Sequence, residues 1–206
     1  ESIFVRDWMA KNPSTPIKIR EAVLTELAGS SFVWIPASVA ANADTPVAVL
    51  ETLAADKDFY VRQAVAGNPS TPLPVLALLS RDSDSRVRKS VAANQGTSAD
   101  LLQVLALDNE ISVRRTVAQN SSTPVAVLEA MMQDASNTIL EAIAINPSMA
   151  LNVRISLLGS LRNGASESFR FSIADSASAP QSTLASLAED DNLAVRCMVT
   201  KNPSSP

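Results

Sequence analysis

A 26-residue repeat runs through this 206-residue chain and constrains its fold more than any other feature. An asparagine marks each repeat, and Ser176 takes the place of the missing one. Five of the seven steps between markers are 26 residues and two are 30. Because four residues add about one helical turn, a longer helix can absorb each long step without losing its apolar face. The marker asparagines are Asn12, Asn42, Asn68, Asn94, Asn120, Asn146 and Asn202.

Other columns of the repeat keep the same register as the asparagine. An arginine stands six residues before the marker in most repeats, and an apolar residue stands three before it. A Thr-Pro step and then spaced leucines follow the marker. The arginines are Arg6, Arg62, Arg88, Arg114, Arg170 and Arg196, and Pro36 and Leu140 depart from the column.

Each repeat is predicted to form two short helices. The Thr-Pro step, as at Thr71 and Pro72, starts the second helix, with the threonine accepting a capping hydrogen bond and the proline in the first helical position. Leu76 and Leu79, three apart, give that helix one buried stripe. Asp84 is the predicted N-cap of the next first helix. The marker asparagine is predicted to close each first helix in a left-handed conformation, which asparagine tolerates.

Helices of roughly ten residues are marginal alone, so stacking of repeat upon repeat must stabilise them. The sequence therefore predicts an all-α solenoid of about eight two-helix repeats, forming a single repeat domain over residues 1–206. A 26-residue repeat is shorter than the roughly 34 to 47 residues of tetratricopeptide, HEAT and armadillo units, so one helix of each pair is expected to be tight and partly 3₁₀. The predicted units are 4–31, 32–57, 58–83, 84–109, 110–135, 136–165, 166–191 and a partial 192–206.

The segment VRQAVAGNPSTP from Val61 to Pro72, followed by Leu76, Leu79 and Asp82, resembles the leucine-rich repeat variant family. The resemblance covers essentially the whole chain and is strongest from 42 to 134. It implies a right-handed superhelix of alternating α and 3₁₀ helices, related in shape to armadillo and HEAT arrays. The family includes a member with a cysteine-bound iron–sulfur cluster, but this chain has one cysteine, so the resemblance implies no cofactor here.

The composition of the chain limits the kinds of site and partner that it can have. The chain has no histidine, which removes the commonest general base and most zinc and iron sites. Acidic residues outnumber basic ones by 21 to 17, which argues against broad attraction to nucleic acid or to anionic membranes. No apolar run approaches the roughly 18 residues of a membrane span. We therefore predict a protein that is not an enzyme and has no catalytic residues, metal or cofactor.

The arginine column has two interpretations. Regularly spaced guanidinium groups could bind phosphates or carboxylates of a partner. Four of the arginines, however, follow an aspartate by six residues, and charges repeating in step are typical of an inter-repeat ladder of ion pairs and carbonyl contacts. We interpret the arginine, aspartate and asparagine columns as structural, with the asparagines closing turns and capping helices. The aspartates are Asp56, Asp82, Asp108 and Asp190.

The leading functional hypothesis is a non-enzymatic scaffold that binds a protein or peptide along its extended surface. The second-helix residues Glu51, Gln103 and Glu129 are the first candidates for contacts with that partner. Two alternatives stay open. One is a HEAT-like protein that binds nucleic acid or modifies bases by using the arginine column. The other is an architectural spacer within a larger protein.

Overall fold

The computed structural model describes residues 6, 8–10, 12, 14–32, 34–134, 136–150, 153–154, 156–157, 166–177 and 179–205. Throughout these residues the regular secondary structure is helical. The chain divides into two compact units, Glu1–Ser122 and Thr123–Pro206. The single repeat domain predicted over residues 1–206 stays a prediction.

The first unit alternates two kinds of helix. A first helix ends at the marker asparagine, and a second helix follows the Thr-Pro step. The first helices are α2 (Trp34–Ala41), α4 (Phe59–Gly67), α6 (Ser85–Ala93) and α8 (Ile111–Gln119). The second helices are α1 (Ile17–Ala28), α3 (Val47–Leu53), α5 (Leu73–Leu79) and α7 (Ala99–Leu105). The first 30-residue step is absorbed in α1, which has 12 residues where α3, α5 and α7 each have 7.

The second unit contains the same two kinds of helix. Its first helices are α10 (Asn137–Ile145), α11 (Glu167–Asp175) and α13 (Leu193–Lys201), and its second helices include α9 (Val125–Met131) and α12 (Gln181–Leu187). Helix α11 packs on α12 and α13, as the repeat predicts for neighbouring elements. The leucines at 158 and 161 in the second long step lie outside the described residues. In the described part of the chain, none of the helices combines the length and the apolar character that crossing a membrane requires.

The apolar columns form the core of the first unit. Val65 and Leu76 are fully buried, and so are the equivalent residues one repeat on, Val91 and Leu102. Burial of each such side chain contributes about 1.5 to 3 kcal/mol relative to exposure. The first helices α2, α4, α6 and α8 pack extensively on one another, because small buried residues such as Ala66 lie between them. The second helices α3, α5 and α7 are held mainly by first helices, which leaves grooves between them.

The start of the second helix differs from the prediction. Thr71 Oγ1 donates to the carbonyl oxygen of Val65 at 2.6 Å instead of accepting a capping hydrogen bond. Pro72 is the residue before α5, and its carbonyl accepts from the amides of Val75 and Leu76. The Val65 carbonyl lies in the last turn of the preceding helix and already accepts from the Asn68 amide at 3.1 Å, and the threonine hydroxyl is its second donor. The predicted N-cap at Asp84 is confirmed, since its Oδ1 accepts from the Arg86 amide at 2.9 Å.

The marker asparagines also adopt a different backbone conformation from the one predicted. Asn68 is extended, with φ −72° and ψ 126°, and none of the described residues has a left-handed φ. The alternation of α and 3₁₀ helices is likewise not found in the described residues, where first and second helices are both α-helical. Hydrogen bonds between residues three apart occur at helix ends instead, as from the Asp82 amide to the Leu79 carbonyl.

Candidate interaction surface

Most of the marker asparagines bond to the repeat before them as well as to their own turn. Asn94 Nδ2 donates to the carbonyl oxygens of Ala66 and Asn68 at 2.8 and 2.9 Å, and its Oδ1 accepts from the Gly96 amide at 2.8 Å. One buried side chain therefore satisfies three backbone groups in two repeats. Bonds to the preceding repeat recur at Asn42, Asn68, Asn120 and Asn202. The side-chain oxygens of Asn12 and Asn146 accept from the backbone amide two residues later.

The arginine column pairs with a carboxylate of its own predicted unit and bonds to a backbone carbonyl of the unit before it, so the carbonyl contacts and not the ion pairs cross between units. Arg88 donates to both carboxylate oxygens of Asp108, at 2.6 Å from Nε and 2.9 Å from Nη2. Its Nη1 donates to the backbone carbonyl of Asp82 at 2.8 Å. The carboxylate partner thus lies twenty residues later, and the aspartate six residues earlier supplies only its carbonyl. Arg62 repeats this pattern with the Asp82 carboxylate and the Asp56 carbonyl. Carboxylate partners are also found for Arg170, which binds Asp190, and for Arg6, which pairs with Glu26. Carbonyl contacts recur from Arg114 to Asp108 and from Arg196 to Asp190.

These ion pairs are largely shielded from solvent. The side chains of Arg88 and Asp108 keep 16% and 8% of their exposure. The hydrogen bond from Arg88 lowers the pKa of the Asp108 carboxyl despite the opposing effect of burial, and the same bond raises the pKa of Arg88. Guanidinium groups held in this way are already bound to protein oxygens, so they are poorly placed to bind a second anion.

The three predicted contact residues are exposed but belong to two units. Glu51 on α3 and Gln103 on α7 lie in the first unit, and Glu129 on α9 lies in the second. They occupy equivalent positions of the repeat, 26 residues apart for Gln103 and Glu129. All three side chains are therefore exposed to solvent on second helices, but they do not form one site within either unit.

An apolar groove of about 570 Å³ lies among the second helices α3, α5 and α7. Leu78, 61% exposed, is the most exposed leucine in its lining, and we call the site the Leu78 groove. Val104 and Leu107, which belong to α7 and the turn after it, are exposed as well. The Leu78 groove is lined by Ala54, Ala55, Ala77, Leu78, Leu79, Arg81, Asp82 and Leu101.

Sequence reasoning missed the Leu78 groove because it followed residues that recur in the repeat. The residues equivalent to Leu78 are Thr52, Val104, Ala130 and Ser186, which are small, polar or shorter. A leucine at a column that tolerates threonine and serine is a departure from the repeat at a solvent-facing position. This departure at Leu78 was the sequence signal that could have indicated the groove.

Comparisons with known proteins bear on the fold and the repeat. The family model described as leucine rich repeat variant matches residues 61–84 and 112–136. A solved structure described as a leucine-rich repeat variant with a novel repetitive protein structural motif matches 94% of this chain and 78% of its own, with a TM-score of 0.60 and 23% identity. The search of curated proteins found no match. The chain is therefore similar to the leucine-rich repeat variant family in two stretches of its sequence, and its helical fold is similar to that of the solved structure.

Proposed function

We propose that the chain is a non-enzymatic repeat scaffold that binds a protein or peptide on the face formed by its second helices. The observation that carries this proposal is the Leu78 groove, an open apolar site between repeats. Leu78 in its lining is exposed, and so are Val104 on α7 and Leu107 in the turn after α7, outside the lining. Grouped exposed apolar side chains are typical of surfaces that another molecule covers. Glu51 and Gln103 supply polar contacts on the same face of the first unit.

Two further observations support a scaffold over the alternatives. The family is a structural repeat fold and is not a known enzyme family. The arginine column, which the nucleic-acid alternative requires, is engaged by aspartates and backbone carbonyls, as at Arg62 and Arg88. A phosphate would have to displace these partners before it could bind.

Peptide selection on the purified chain tests the proposal. A displayed random-peptide library is enriched on the wild type, and an enriched peptide is then titrated by fluorescence anisotropy. Leu107→Glu on the second-helix face should weaken binding about tenfold by placing a charge at an apolar contact. Lys89→Glu, exposed on first helix α6, is the matched control and should leave the affinity unchanged.

Two outcomes would contradict the scaffold proposal. One is the absence of any enriched peptide, and the other is loss of binding in Lys89→Glu with full binding in Leu107→Glu. A titration with duplex DNA at low salt examines the nucleic-acid alternative. Tight binding that falls steeply as salt is added would favour that alternative over a peptide scaffold.

A further inference from the structure

The Leu78 groove has the size and lining of a site for apolar side chains. Its volume of about 570 Å³ falls within the range of pockets that enclose small ligands or several side chains. Three alanines, Ala54, Ala55 and Ala77, form part of its lining, and their small side chains leave room for a bulkier aliphatic group. Leu78 and Leu101 supply larger apolar surface. An occupant of this groove therefore contributes at least one aliphatic or aromatic side chain.

The two charged residues that line the groove differ in what they can offer an occupant. Asp82 is already bound, because its two carboxylate oxygens accept from Arg62 at 2.6 and 3.0 Å and Oδ1 also accepts from the Asp84 amide at 2.9 Å. Arg81 is exposed, and its guanidinium makes no hydrogen bond or ion pair with any described residue. The charge that the groove presents is therefore positive.

The surroundings of the groove limit how much negative charge an occupant can carry. Glu51 on α3 and Asp100 on α7 are exposed on the same second helices, outside the lining of the groove. A polyanion laid along this face would meet both carboxylates, and like charges repel. A segment with one carboxylate beside apolar residues would meet Arg81 without that penalty.

Resting on the proposed scaffold function, we propose that the Leu78 groove recognises a short apolar segment of a partner protein that carries a carboxylate. The aliphatic or aromatic side chain of the segment enters against Leu78, Leu101 and the alanines. Its carboxylate binds the Arg81 guanidinium at the edge of the groove, where a charge-assisted hydrogen bond favours planar, two-point contact. Arg81 then selects the partner by charge, and Leu78 supplies the apolar contact.

Parallel selections of the displayed random-peptide library test this assignment. The targets are the wild type, Arg81→Glu, Leu78→Lys and the control Arg115→Glu, an exposed arginine on first helix α8. The wild type and the control should enrich peptides with Asp or Glu beside apolar residues, whereas Arg81→Glu should enrich Lys or Arg in their place. Circular dichroism melts of each variant establish that the folded state is retained.

A charge-swap cycle then measures the contact itself. The enriched peptide should bind Arg81→Glu and Leu78→Lys about tenfold more weakly than the wild type. Exchanging its carboxylate for the neutral amide should weaken binding to the wild type but strengthen binding to Arg81→Glu, because the exchange removes an attraction in the first case and a like-charge repulsion in the second.

The outcomes separate this inference from the scaffold proposal. Enriched peptides that lack acidic residues, or that bind Arg81→Glu as tightly as the wild type, would overturn the role of Arg81 and leave the scaffold function standing. Failure of the wild type to enrich any peptide would overturn both. Sedimentation that reveals a dimer dissolved by Leu78→Lys would assign the groove to a second copy of the chain and overturn the partner segment.

Discussion

At the scale of single residues, the most regular side chains of this chain are polar, yet they lie in or beside the core. Asn94 and Arg88 each reach from one repeat to a neighbour and have hydrogen-bond partners on both sides. Polar groups are tolerated at such depth only when their bonding capacity is filled. The same requirement explains why the columns recur, since each repeat presents the same carbonyl groups to the next.

Asn94→Ala should lower the free energy of unfolding by about 3 kcal/mol, because three hydrogen bonds are lost and two buried carbonyls lose a donor. Urea unfolding followed by circular dichroism measures the change. The control is Asn109→Ala, which removes an exposed asparagine and should change stability by less than about 0.5 kcal/mol. Equal stability of the two variants would show that the asparagine column does not hold the repeats together.

The sequence predicted which residues form the columns but not all of their contacts. A 26-residue period makes Asp82 both the aspartate six residues before Arg88 and the one twenty residues after Arg62. Spacing alone cannot say which arginine binds the carboxylate and which the carbonyl, because that depends on how far neighbouring repeats are offset when they stack. The threonine contact was wrong for a related reason: in Thr71, a hydroxyl can donate as well as accept.

At the scale of elements, the turn between first and second helices is built from one recurring set of bonds. The position two residues after the marker is serine in six of the eight repeats. Ser70 Oγ donates to the Ala43 carbonyl at 3.0 Å, and Ser204 Oγ donates to the Ala177 carbonyl at 2.7 Å. Gly96 takes this place in one repeat although its backbone is not left-handed. Glycine is therefore not required there by conformation.

Gly96→Ser should raise the free energy of unfolding by about 0.5 to 1 kcal/mol, because it restricts the unfolded chain and restores the turn serine. An added Cβ lies 3.2 Å from Asn94 Oδ1, and the serines of other repeats fit beside the equivalent asparagine. Thermal unfolding measures the change. Gly67→Ala, at the end of α4 with no atom within 4 Å of an added Cβ, is the benchmark for a stabilising glycine replacement. A lower melting temperature for Gly96→Ser than for the wild type would contradict this account of the turn.

The helices themselves were largely predictable, and the groove between them was not. Period and leucine spacing locate second helices such as α5, because a buried stripe leaves a pattern in the sequence. The Leu78 groove depends on how widely α3, α5 and α7 stand apart. That separation is set by the first helices packed beneath them, and no residue of the second helices encodes it alone.

At the scale of the whole molecule, both units use the same ion pair, Arg88 with Asp108 in the first and Arg170 with Asp190 in the second. Hydrogen bonds from the arginines lower the pKa of both carboxyls in the folded state, against the opposing effect of burial. A carboxyl with a lowered folded pKa stabilises the protein above its unfolded pKa and loses that contribution as the pH falls through the folded value.

The free energy of unfolding should therefore be nearly constant from neutral pH to roughly pH 5 and fall below it, as these carboxyls take up protons. Urea unfolding at a series of pH values measures the profile. Asp108→Asn removes one titrating carboxyl, so it should be less stable at neutral pH and lose less stability on acidification. The matched control, Glu51→Gln, removes an exposed carboxyl outside the ladder and should keep the wild-type profile. A profile that rises on acidification would contradict the ion-pair ladder.

The most direct test of the central claim compares stability and peptide affinity in the same two variants. The claim is that the polar columns hold the repeats together and the second-helix face binds the partner. Asn94→Ala should lose stability while its folded fraction binds the selected peptide with wild-type affinity, and Leu78→Lys should lose affinity about tenfold with little change in stability. The reverse pattern, with binding lost in a stable Asn94→Ala and retained in Leu78→Lys, would contradict the account.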